Sequence, residues 1–118
     1  MLAIRGAISV PANTREDILE AAGDLLGEMQ RANALAPSEL VAVLFTLTPD
    51  LNAAFPAEAA RYLGWNAVAL MCMQEVAVPG APARVLRVMM LVERSRLVAP
   101  VHVYRGDARR LRSDWAGE

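Results

Sequence analysis

Five side chains able to do chemistry stand inside otherwise apolar stretches. They are Arg5 in LAIRGAISV, Cys72 and Glu75 in LMCMQEV, Arg87 in RVLRVMMLVE and Tyr104 in VHVY. Arg87 sets the hardest condition. Successive side chains of a strand point to opposite faces. Leu86, Val88, Met90 and Val92 thus form one unbroken apolar face, and Arg87 shares the other with Val85, Met89 and Leu91. A guanidinium keeps its charge, and a buried unpaired charge is very costly. An anion must therefore meet Arg87, either a carboxylate of the chain or a carboxylate of a ligand.

Each of these residues also has an ordinary role open to it. Glu75 and Arg87 can form a structural ion pair, Cys72 can serve as a small buried hydrophobe, and Tyr104 as a core aromatic with its hydroxyl at the rim. Arg5 can be solvated. The sequence carries no glycine-rich phosphate loop, no paired-cysteine zinc site and no HExxH. His102 is the single histidine, which excludes a histidine-cluster metal site. A Cys72–His102 nucleophile pair would need a spatial adjacency that chain spacing alone does not supply.

The elements that must position these residues follow from pattern. Residues 2 to 10 alternate, with Ile4, Ile8 and Val10 on one side and Arg5, Ala7 and Ser9 on the other, as in a half-buried strand. Thr14 is a good N-cap with Asp17 three residues on, a variant of the capping box. Ile18, Ala21, Leu25, Met29 and Ala32, widened by Ala22 and Leu26, predict a helix over about 14–33. VAVLFTLT (41–48) reads as a strand covered on both faces. Pro56 suits the first turn of a short helix, AEAARYL, that Gly64 stops. WNAVALMCMQEVAV (65–78) begins as another strand, PGAP breaks the chain, and the Arg87 strand, a short strand at 101–104 and a basic tail follow. About five strands and two helices make an α/β or α+β domain, with one helical layer covering one sheet face. The other face is expected to meet a neighbouring subunit.

Composition bounds the partners. For a chain of 118 residues, 55% hydrophobic and 21% charged is apolar. A domain this size buries roughly two-thirds of its unfolded surface, so the excess points to burial between subunits. The net charge of −1 gives no electrostatic case for nucleic acid. No apolar run reaches the ~18 residues of a membrane span. The N-terminus lacks a signal-peptide pattern and there is a single cysteine, so a cytoplasmic protein is expected. All twelve basic residues are arginine; arginine position therefore informs more than arginine identity.

In chain order, IRGAIS, TPDLNAAFPAEAAR, CMQEVAVPG, LRVMM and HVY closely resemble the monofunctional bacterial chorismate mutases of the AroH class, collinearly over about residues 4–112. The resemblance implies one domain over 1–118, with 106–118 a mobile C-terminal segment. It implies a mixed sheet with two helices on one face, and a homotrimer forming a pseudo α/β barrel with sites between adjacent subunits. The implied reaction is the concerted Claisen rearrangement of chorismate to prephenate in aromatic amino-acid biosynthesis, with no metal and no organic cofactor. Arg87 stands where the family meets a carboxylate and the ether oxygen, so the resemblance makes the substrate its anion. Arg5 and Tyr104 match carboxylate-binding residues, and Glu75 and Cys72 the groups that bond the ring hydroxyl. Phe55 and Ala57 match an apolar wall, Arg61 a charge near the mouth, and Leu111 and Arg112 the segment that closes the site. With no proton transferred, turnover is expected to be flat across neutral pH.

Departures from the family pattern fall in loops and the tail, where they bear on substrate affinity and closure more than on the chemistry. Met71 replaces a threonine before the cysteine, Glu58 stands where some members carry lysine, RSRLVAP replaces the usual turn before HVY, and the tail reads LRSDW. Cys72 and Glu75, three residues apart, point to opposite faces of a regular strand, and reach one ligand only if the strand ends or kinks near Met73. Two other classes stay open. One is a ligand-binding or imine-deaminase-like trimer of similar architecture, because a fold does not fix a function. The other is a silent interaction protein in which Glu75 and Arg87 simply pair.

Overall fold

The structure is a computed structural model and describes residues 1–95 and 98–110. Strands β1 (Leu2–Ser9), β2 (Leu40–Leu47), β3 (Ala69–Gln74), β4 (Val85–Val92) and β5 (Val103–Arg105) form one mixed sheet in the order β3-β2-β4-β1-β5. β4 pairs antiparallel with both β1 and β2, while β3 and β5 add as parallel edge strands. Helices α1 (Arg15–Ala32) and α2 (Ala57–Tyr62) connect them.

Alternation sorts the sheet into two faces. Ile4 and Ile8 of β1, Val43, Phe45 and Leu47 of β2, and Leu86, Val88, Met90 and Val92 of β4 are buried against Ile18, Ala22, Leu25, Leu26 and Met29 of α1. Thr14 caps α1 as its sequence predicts, accepting from the Asp17 N–H at 3.1 Å. The apolar stripe stops at Met29; Ala32 is exposed. The end of the helix is held instead by Asn33, whose side chain donates to the Met29 carbonyl and accepts from the Val101 N–H at 2.7 Å. Arg94, nearly buried, adds a cation at this C-terminal end by donating to the Asn33 carbonyl at 3.1 Å.

On the other face the strands place one residue each in a single row. Tyr104 pairs with Ala7, Ala7 with Arg87, Arg87 with Thr46, and Thr46 with Met73. Arg87 thus sits on the central strand, with a methyl group to one side and a hydroxyl to the other. Both faces of β2 were expected to be covered. Its helix face is, but Leu44 and Thr46 are only half-buried.

Two strands differ from their predicted bounds. β3 starts at Ala69 because Trp65, buried in the core, donates its N–H to the Ala60 carbonyl and so ends α2. β5 starts at Val103, not 101, because the Arg5 N–H is taken by the His102 imidazole, Nδ1 accepting at 3.0 Å, and the Val101 N–H by Asn33.

Gly106 turns the chain out of β5 with φ +60, and a Cβ there would collide with the Ser9 hydroxyl. That hydroxyl accepts from the Asp107 N–H at 3.0 Å. Gly106→Ala combines a left-handed backbone with a steric clash and is expected to destabilise the fold by roughly 1–3 kcal/mol. Thermal unfolding at fixed protein concentration measures this, and an unchanged midpoint would contradict it.

Candidate active site

Arg87 finds its anion within its own chain. Its Nε lies 3.1 Å from Glu75 Oε2, and the same oxygen accepts from the Thr46 hydroxyl at 2.7 Å. Glu75 follows the last residue of β3, on the Met73 side of the strand, and the Glu75 N–H donates to the Leu47 carbonyl at 2.8 Å. In the single chain the carboxylate beside Arg87 is thus that of Glu75, one of the two anions that the sequence allowed. The pair is not sealed, however. The Arg87 side chain is 37% exposed, and its Nε is not aligned for a hydrogen bond with Glu75.

Arg5, Thr46, Glu75, Arg87 and Tyr104 line one open cavity of about 550 Å³, walled by Leu44, Val76 and Met89. The Tyr104 hydroxyl is buried without a hydrogen-bond partner among the described residues. A phenol hydroxyl with an unused proton, beside two guanidinium groups, suits a carboxylate.

Phe55 and Cys72 occupy a different cavity, of about 480 Å³, on the helix side of β3. Cys72 pairs with the buried Phe45, and Phe55 is 69% exposed at the opening. Ala57 does not line the cavity; it is buried at the start of α2, and its backbone N–H faces the Cys72 sulfur. Arg61 is exposed and acts on Cys72 through its charge. β3 stays regular through Gln74, so Cys72 and Glu75 point to opposite faces and one chain does not bring them together. Leu111 and Arg112 lie outside the described residues.

Cys72 and His102 lie at opposite edges, on β3 and just before β5, with three strands between them, so they form no nucleophile pair. Burial pushes the Cys72 thiol above its ordinary range, against the opposing pull of the Ala57 N–H and the Arg61 charge. It is a thiol at neutral pH, able to donate a hydrogen bond. Alkylation by iodoacetamide is expected to be slower than for a free thiol at pH 7 and to climb about tenfold per pH unit from about pH 7 to 9. A rate that levels off near neutrality would show a thiolate instead.

Two neighbours of these sites were not singled out from sequence. Thr46, the one polar side chain in VAVLFTL, could have been noticed as a hydroxyl facing a strand that carries Arg87. Arg15 lines the Cys72 cavity and meets Glu58 at 2.6 Å. Its place on the helix gave no such sign. Among the described residues no group of three or more His, Cys, Asp or Glu side chains is gathered as a metal site. No helix among them is long and apolar enough to cross a membrane.

A mixed five-stranded sheet carrying clustered guanidinium groups, a phenol and a paired carboxylate on its open face defines a small α/β protein built to bind an anionic ligand. More narrowly, the chain belongs to the type I chorismate mutase family, whose model matches residues 1–115. It is 48% identical over 113 residues to chorismate mutase AroH of Thermus thermophilus, covering 94% of this chain and 93% of that one. It is 44% identical over 91 residues to chorismate mutase AroH of Bacillus subtilis, with 76% and 72% covered. A solved chorismate mutase from Clostridium thermocellum superposes with TM-score 0.90 at 43% identity, covering 93% of this chain and 99% of its own. The imine-deaminase-like alternative is not favoured by these relatives.

Proposed function

We propose that the protein isomerises chorismate to prephenate in aromatic amino-acid biosynthesis, as a cytoplasmic homotrimer of single-domain chains. The observation that carries this is the Arg5–Arg87–Tyr104 cluster on one open cavity, with the Tyr104 hydroxyl buried and lacking a hydrogen-bond partner among the described residues. In the rearrangement the ether C–O bond breaks as a C–C bond forms between the enolpyruvyl arm and the ring. No proton moves. Negative charge grows on the ether oxygen, and the Arg87 guanidinium donates to it more strongly in the transition state than in the substrate. Arg5 and Tyr104 hold a carboxylate. Glu75, oriented by Thr46, accepts from the ring hydroxyl.

The split between the two cavities supports the trimer. Cys72, Phe55 and Arg61 stand on the far side of β3 from Glu75, so a substrate touching both sets needs one set from a neighbouring copy. Met71 and Met73, 57% and 39% exposed on the open face, are the apolar surface that such a copy would cover. Leu111 and Arg112 would add contacts to the substrate in this site. The test is loss of chorismate with purified protein and formation of prephenate in equal amount, at a rate flat from about pH 6 to 8. A well-folded protein without turnover would sink the proposal, and a mass other than three chains would sink its trimeric form.

A further inference from the structure

The Cys72 cavity contains a charge arrangement that the proposed chemistry does not yet use. Glu58, in the first turn of α2, lines this cavity. A bare carboxylate there would repel a dianion. Glu58 is not bare: its Oε2 lies 2.6 Å from Arg15 Nη1. Arg15 also lines the cavity, and it is the one basic residue that does so among the described residues.

Its position is unusual in another respect. Arg15 is the first residue of α1. A cation at a helix N-terminus opposes the helix dipole, and the next two residues, Glu16 and Asp17, follow the favourable rule. A residue that breaks a local preference beside a binding cavity is a candidate for function.

We infer that Arg15 is a substrate-binding residue, supplying the cation at the mouth of the Cys72 cavity, and that Glu58 is the positioning residue that aims it. The guanidinium is half exposed, and Glu58 Oε2 meets it as an ion pair without an aligned hydrogen bond, so its donor fork is left for an incoming carboxylate. Glu58 offsets its own repulsion by fixing Arg15. The role deepens the mutase proposal and rests on it.

The rival is a plain clamp between the starts of α1 and α2. Kinetics separates the two. Arg15→Gln is expected to raise KM for chorismate about tenfold, with kcat within about twofold, and the ratio to the wild type should shrink as salt is added. Arg15→Lys keeps a cation there and should stay close to the wild-type KM. The decisive variant is the double change Arg15→Gln with Glu58→Lys, which abolishes the ion pair but restores a cation at the mouth. KM returning toward the wild-type value supports the assignment. A KM unmoved by Arg15→Gln, or one that the double variant fails to restore while still folded, overturns it and leaves the mutase proposal standing. A wild type that does not turn over chorismate overturns both.

Discussion

Replacing Arg87 with alanine is expected to lower kcat for chorismate by about a thousandfold or more while the protein stays folded. The size follows from what is removed. One preorganised neutral donor at a developing oxyanion is worth roughly 100- to 1,000-fold, and a guanidinium adds full charge and a second prong. The fold should tolerate the change. The Arg87 side chain is over a third exposed, it lies beside the small Ala7, and Glu75 keeps its hydrogen bond to Thr46. Arg87→Lys should recover only part of the rate, because an ammonium lacks the fixed fork. If Glu75 and Arg87 are only a structural pair, the outcome inverts: a paired apolar replacement would be tolerated, and turnover would survive it. Rates of chorismate loss, set beside circular dichroism of each variant, decide between the two.

Why Arg87 was conspicuous from sequence, while Arg15 was not, is a matter of background. A permanent cation in RVLRVMMLVE violates the pattern around it, so one strand suffices to raise the question. Arg15 sits among Glu16, Asp17 and Glu20, where any charged side chain fits a wet helix end. Its partner is far away in sequence and joins it only once α2 packs beside α1. β1, β4 and α1 were legible because each carries its own period, and β2 because it is a continuous run of strand formers. The late start of β3 and of β5 was not, because both are set by competitors for backbone hydrogen bonds: Trp65 with Ala60, and His102 with Arg5. Likewise the opposite facing of Cys72 and Glu75 follows from a period of two. That β3 is an edge strand, with a cavity on each side, follows from strand order, which local pattern does not encode.

That edge position leads to the second large effect, which arises from mixing two inactive proteins. Phe55→Asp should be harmless to folding, since Phe55 is 69% exposed on the single chain. It removes an apolar wall and adds a carboxylate facing a dianion, and is expected to cost at least about a hundredfold in kcat/KM. Arg87→Ala fails for the separate reason given above. If each site takes Arg87 from one copy and Phe55 from the next, a ring assembled from both variants contains some sites with both residues intact. Random assembly from equal amounts gives an intact pair with a chance of about one in four. Co-refolded or co-expressed mixtures should therefore recover about a quarter of the wild-type rate, from parents that are each nearly dead. Simple mixing without subunit exchange should recover almost nothing. Were both cavities of one chain to serve a single substrate, every ring site would carry one defect, and the mixture would show only the mean of its parents. Recovery would therefore establish that one site takes Arg87 from one copy and Phe55 from another.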